Sequence, residues 1–417
     1  MFADQRDQLG DVNNDGEINV LDIVRVVNII LENEPSPTDY ELWASDVNVD
    51  ELVNVQDVVI IVTVIMQTFD CPNLYSPCSD NLSECCPITT SHEFEWVADT
   101  MGIYGSELRA SAIINPDSIW VFGEIRIPDT TSQTGYTNYG GAWWNGTEWH
   151  LKHFYWIDQL AQVYPRAVWP GDDNNLWFPA GNIFYYDGDT TYQVWDSLDG
   201  SGGSVNRVWG NNSNNLYFVG PSGTIVHFDG TEYTEMESTT EVKLIDISGN
   251  PSGNHIFVTG LNSSDLFGSV VLEYTDGVWY TLYEPEHYLP SEDDYGAALN
   301  VSVLNDTAYI TTMAGLWKYN YIDQNSVFIP ESFYNEGQYF HTKYIKAQES
   351  NDIYMLSSRF ILTHFNGDNW FYDDQFNETY GNGNIWSISG DYNGEIVVFV
   401  GYFHPGRYPL IVRGYKY

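Results

Sequence analysis

The sequence predicts a mainly β protein of repeated four-strand units, preceded by a small all-α module at its N-terminus. Three observations carry this. Two twelve-residue acidic loops recur 35 residues apart, and each runs into an apolar stretch with helical spacing. From His92 onward, short aromatic-rich runs alternate with Gly-containing turn signals, the pattern of many short strands. The same four-strand pattern then returns along that region, which marks a repeat architecture.

At 417 residues, with 43% hydrophobic and 16% aromatic side chains, the chain can bury a sizeable core. The 58 acidic residues outnumber 15 basic ones, giving a formal charge of -43 that repels nucleic acid and anionic lipid and favours cations. No run of 18 apolar residues is present, so no membrane span is expected. Met1 to Gly10 is too polar for the apolar region of a signal peptide. A secreted or cell-surface location is nevertheless expected from the features below, with a leader trimmed or lying upstream.

The first acidic loop places Asp11, Asn13, Asp15, Asn19 and Asp22 at positions 1, 3, 5, 9 and 12. A calcium ion takes six to eight hard oxygen ligands, and short carboxylate and amide side chains at this spacing supply them. Gly16 permits the sharp turn, Glu17 contributes its backbone carbonyl, and Ile18 points inward to pair with its twin. In the second loop Asp46, Asn48, Asp50, Asn54 and Asp57 repeat the set, with Leu52 as the carbonyl position. Glu51 replaces the turn glycine there, so the second site should be the weaker of two calcium sites. The apolar stretches Val20 to Leu31 and Val55 to Met66 should form two helices. Ile23, Val26, Val27 and Ile30 would pack against Val58, Ile61, Val62 and Ile65.

Residues 10–68 resemble a type I dockerin, the calcium-binding module that docks secreted proteins onto cohesins. The resemblance implies two bound calcium ions and a cohesin-like or cell-surface partner. In that family partner choice lies at loop positions 10 and 11, often Ser-Thr, where this chain has Val20-Leu21 and Val55-Gln56.

Between a module over 1–68 and a repeat domain over 92–417, a linker over 69–91 holds all four cysteines, Cys71, Cys78, Cys85 and Cys86. Their clustering suits a disulfide knot in an oxidising compartment, with Cys71 and Cys78 each reaching one of the adjacent pair. A zinc site and free thiols are the alternatives.

In the repeat domain, second strands centre on Ile119-Trp120, Leu176-Trp177, Leu216-Tyr217, Ile256-Phe257, Ala308-Tyr309, Ile353-Tyr354 and Ile396-Val397, giving seven units. The last unit lacks a fourth strand, and Glu93 to Ala98 stands unpartnered before the first. Together they predict a seven-bladed β-propeller closed by its N-terminal strand. Asn145-Gly146, Asp187-Gly188, Asp229-Gly230, Asp276-Gly277 and Asn366-Gly367 read as hairpin turn pairs before each fourth strand. The repeats loosely resemble kelch and sialidase Asp-box blades, which implies architecture and no activity.

Long loops on one face carry aromatic and charged candidates for ligand binding: Tyr136, Tyr139, Trp156, Tyr288, Tyr402, His404 and Arg407. Sugar rings stack on such aromatics while polar groups hold their hydroxyls; self-packing of the loops is the plainer reading. Arg109, Arg166 and Arg207 fall on first strands of consecutive blades, where channel carbonyls and water would satisfy them. His227 and His364, on third strands, lie too far apart in the ring to pair on a metal. No catalytic residue stands out. The sequence therefore reads as a secreted, non-catalytic recognition protein binding a glycan or protein. A carbohydrate-active enzyme, of glycoside hydrolase or sialidase-like type, or an accessory component of polysaccharide catabolism, is the alternative.

Overall fold

The computed structural model describes residues 9–14, 18–31, 36–47, 52–66 and 90–416, apart from 159–160, 197–203, 263–267, 287–294, 330–333, 336–337, 340–341, 358–360, 374–375, 377–384 and 404–407. The chain divides into two compact units, Met1–Thr90 and Ser91–Tyr417.

The first unit holds helices α1 (Val20–Ile30), α2 (Asp39–Ser45) and α3 (Val55–Met66). Asn19 caps α1 by accepting from the Leu21 N–H at 2.9 Å, and Asp22 answers by accepting from the Asn19 N–H at 2.8 Å. Leu9, Val12, Val26, Ala44, Val47 and Ile61 form the buried core. Ile23 and Ile30 flank that core as expected, but Val27 falls on the solvent side of α1 together with Val20, Val24 and Leu31. Spacings of four and three residues put those four on a second stripe, opposite Asp22 and Val26. Helix α2 was not foreseen; Thr38 and Glu41 form its capping box. Glu41 also pairs with Arg25 of α1 at 2.5 Å, and this guanidinium holds its carboxyl down at about 2.

The second unit is a seven-bladed β-propeller. Blade 1 comprises Glu107–Asn115, Ser118–Pro128, Tyr136–Trp144 and Trp149–Lys152 in antiparallel order. The inner strands of blades 2 to 7 are Trp169–Asp172, Arg207–Asn212, Leu244–Gly249, Ala298–Leu304, Thr342–Glu349 and Ile385–Tyr392. Each inner strand touches the next, and Ile385–Tyr392 touches Glu107–Asn115, so the ring closes around a central channel. Second strands carry most of the deepest aromatics: Trp120, Phe122, Phe178, Phe218, Phe257, Tyr354 and Phe399 all lie within 2% of full burial. Each such ring contributes about 2–3 kcal/mol on leaving water, so the blades are held mainly by these wedges.

Closure follows the expected route. Phe94–Thr100 pairs antiparallel with Tyr408–Lys416 as the outermost strand of blade 7, with Phe94 opposite Lys416 and Thr100 opposite Leu410. Arg413 seals the junction with blade 1: it donates to Asp99 at 2.8 Å and lies 3.8 Å over the Trp144 ring. Trp149 Nε1 donates to the same Asp99 carboxylate at 3.0 Å.

The turns differ from expectation. Only Asp276-Gly277 is a two-residue hairpin with both φ positive, at 52° and 85°. The other four form four-residue loops, because the Asn or Asp side chain takes over the turn. Asn145 Oδ1, for example, accepts from the N–H groups of Thr147 and Glu148, both at 2.9 Å.

Candidate functional site

In the helical unit, each loop is drawn together by its position-12 carboxylate. Asp22 accepts from the Asn13 N–H at 3.1 Å through one oxygen and from the Asn19 N–H at 2.8 Å through the other. Asp57 does the same with the N–H groups of Val47 at 3.0 Å and Asn54 at 2.8 Å. Asp11, Asp22 and Asp57 are all buried, and Tyr40 of α2 donates to the Asp11 carbonyl at 3.0 Å. Ile18 and Val53, the matched inward positions, both pack against the core. Buried carboxylates beside Asn13, Asn19 and Asn54 make an all-oxygen donor set of the kind a hard divalent cation takes. Asp15, Glu17, Asn48 and Asp50 lie outside the described residues, while Asp46 and Leu52 lie at the second loop's edge. Among the described residues no three His, Cys, Asp or Glu side chains gather as a metal group.

The propeller candidates separate. Tyr136 and Tyr139 share one strand, but Arg126 lies 5.0 Å over the Tyr136 ring, and Tyr139 stacks on His153 at 4.2 Å, which stacks in turn on Tyr155 at 4.9 Å. Trp156 sits on a hairpin, Tyr155–Trp156 with Ala161–Gln162, that adds two outer strands to blade 2, and its ring meets Phe184 edge-on at 6.0 Å. The segment expected as a free loop is thus sheet, anchored by the fully buried Phe154. Tyr402 lies on the second strand of blade 7. Tyr288, His404, Arg407 and the cysteines Cys71, Cys78, Cys85 and Cys86 lie outside the described residues.

Third-strand polar residues are taken up structurally. Trp143 donates to Ser118 Oγ at 2.9 Å, Tyr185 to Asn175 at 2.7 Å, and His227 bonds Asn215 at 2.7 Å. His364 bonds Asp352 at 2.8 Å in the same way, a clasp between third strand and start of second strand repeated from blade to blade.

The channel mouth gathers the expected arginines, although Arg166 precedes its inner strand, Trp169–Asp172, and does not lie on it. Arg109, Arg166, Asn206, Arg207, Lys243, Leu244, Ile245 and Ile388 line a cavity of about 360 Å³ where the inner strands begin. Arg207 Nη1 donates to the carbonyls of Asn206 at 3.1 Å and Arg166 at 3.4 Å, and Arg166 donates to the Asn206 side chain. Arg109 pairs with Glu107 at 3.0 Å. Burial, and then Arg109, push Arg166 below its ordinary pKa; burial, and then Arg207, do the same to Lys343. Lys243 and Lys343 escaped notice because only the register of the inner strands reveals that they share the arginines' level.

Fold and loops together define a small helical module followed by a β-propeller. Residues 9–65 match the family model of the dockerin type I domain, whose members bind calcium and attach to cohesin-type partners. The propeller is similar in fold to the structure of YCF48 bound to D1 peptide, at 12% identity and a TM-score of 0.56, over 79% of this chain and 97% of that one. It is likewise similar to YCF48 from Cyanidioschyzon merolae, at 10% identity and a TM-score of 0.53, over 77% of this chain and 98% of that one. No curated protein matches the chain. Among the described residues no helix is long and apolar enough to cross a membrane.

Proposed function

We propose that this is a secreted, non-catalytic recognition protein. Its dockerin module, ordered by two calcium ions, attaches it to a cohesin-type or cell-surface partner, and its propeller binds a glycan or protein. The observation that carries the attachment half is a duplicated apolar face. Val20 and Val24 on α1 are 60% and 51% exposed, and their counterparts Val55 and Val59 on α3, 35 residues on, are 65% and 56% exposed. In so acidic a chain, apolar side chains left exposed at matched positions of both helices, with Leu21 and Leu31 also exposed on or beside α1, favour a partner surface. The apolar pair Val20-Leu21 stands where the family often has Ser-Thr, which favours an apolar partner patch. Dockerin proteins are typically extracellular, in keeping with secretion.

We read the propeller as non-catalytic because the carboxylates nearest the channel mouth among the described residues, Glu107 and Asp246, lie beside Arg109 and Arg207. Glycoside hydrolysis needs two, about 5–9.5 Å apart. The test is binding of the full chain to a panel of immobilised cohesins, with and without calcium, alongside a glycan array and sugar-release assays. Calcium-dependent capture lost in Val24→Asp and Val59→Asp is expected. Capture unaffected by chelation and by both variants, or release of sugar, would overturn the reading.

A further inference from the structure

The most unusual concentration of charge in the molecule is cationic. Five of its fifteen basic residues, Arg109, Arg166, Arg207, Lys243 and Lys343, sit at the start of inner strands or just before them, around one channel mouth. They face two carboxylates: Glu107, already paired with Arg109, and Asp246, further along the blade 4 inner strand, which offsets part of the burial acting on Arg207. Among the described residues Arg166, Arg207, Lys243 and Lys343 have no ion-pair partner, and only one Nη of each of Arg166 and Arg207 is engaged, leaving their other N–H donors for a ligand. Holding like charges together in a chain of net charge -43, with acidic side chains in large excess, costs free energy that an anion bound between them would offset.

We propose that the channel mouth is a binding site for a carboxylate carried on an aliphatic stem. The guanidinium groups of Arg166 and Arg207 supply the forked donors that match a carboxylate's two oxygens, and Lys243 adds a point charge from the neighbouring blade. The apolar part of the lining is Leu244, Ile245 and Ile388, aliphatic and, among the described residues, with no aromatic ring on which a sugar could stack. At about 360 Å³ the space is at the small end of ligand clefts, which run roughly 300–1,000 Å³, so it takes a single small acid or the last residue of a chain. The site opens where inner strands begin, the face to which the blades' incoming loops belong. It names a ligand class for the propeller and rests on its reading as the recognition domain.

Calorimetric titration of the full chain with 4-methylpentanoate and with its uncharged amide tests this, with glucuronate and inorganic phosphate as competing anions. The carboxylate should bind at least ten-fold more tightly than the other three, and raised salt should weaken it. Arg207→Gln and the solvent-exposed Lys243→Gln should each weaken it about ten-fold; Lys243→Gln decides the matter if Arg207→Gln fails to fold. A tripeptide ending in leucine, free or amidated at its C-terminus, separates the sources: tighter binding of the free peptide than of the small acid assigns a chain end, the reverse a free acid. Equal binding of the amide, glucuronate or phosphate, or undiminished binding by Lys243→Gln, would overturn the site. Glycan binding without any carboxylate binding would also overturn it, while leaving the propeller's recognition role standing.

Discussion

His92 Nδ1 lies 2.8 Å from His364 Nδ1, joining the segment that leads into the closing strand to the third strand of blade 6. The bond requires one ring nitrogen to donate and the other to accept, so His364 accepts while its Nε2 donates to Asp352. Asp352 also accepts from Tyr392 at 2.6 Å and Lys416 at 3.0 Å, which ties the two ends of the propeller into one buried network.

An acid sensitivity follows. Burial pushes His364 below its ordinary value near 6.5, against the opposing pull of Asp352. The folded state keeps the ring neutral while the unfolded chain protonates it, so this contribution is complete above about pH 6.5 and is lost as the pH falls toward the depressed folded value. Melting temperatures of the wild type should drop from pH 7.5 to 5.0 more steeply than those of His364→Asn, which should be lower but flatter. Parallel profiles would exclude His364 as the group concerned.

The seam between blades 7 and 1 depends on Arg413, only 4% exposed and held by Asp99 and the Trp144 face. Arg413→Met should cost about 2–4 kcal/mol, since it removes a charge-assisted bond and a cation–π contact and leaves Asp99 partly uncompensated. Denaturant midpoints would show this; a loss below about 1 kcal/mol would mean that the strand pairing alone closes the ring.

Two turn glycines should respond unequally to alanine. Gly277, at φ 85°, has nothing within 4 Å of an added Cβ, so Gly277→Ala should cost about 1 kcal/mol from backbone strain alone. Gly230, at φ 94°, would place that carbon 2.8 Å from Asn214 Cβ and should lose more. Thermal melts that rank the two the other way would contradict the turn geometry.

The blade count, the closing strand and the dockerin repeat were legible because each depends on local spacing repeated along the chain. Helix α2 was not, since Asp39 to Ser45 is short and has no strong period; it forms because Thr38 and Glu41 cap it and Ala44 meets the core. The hairpin carrying Trp156 was misjudged for a related reason: what makes it sheet is burial of Phe154 between blades, which no local pattern announces. The channel cations are set by register across five inner strands, so Arg109 could be seen as part of a series while Lys343 could not.

The division of labour between a metal-ordered attachment module and a propeller is tested most directly by calorimetric titration of the chelated full chain with calcium, followed in parallel by helical circular dichroism and by the propeller's melting. The account predicts two ions per chain, the Asp11–Asp22 loop filling first, a gain of helical signal and an unchanged propeller transition. Asp22→Ala should abolish the tighter site. Fewer than two ions, or a helical signal indifferent to calcium, would contradict it.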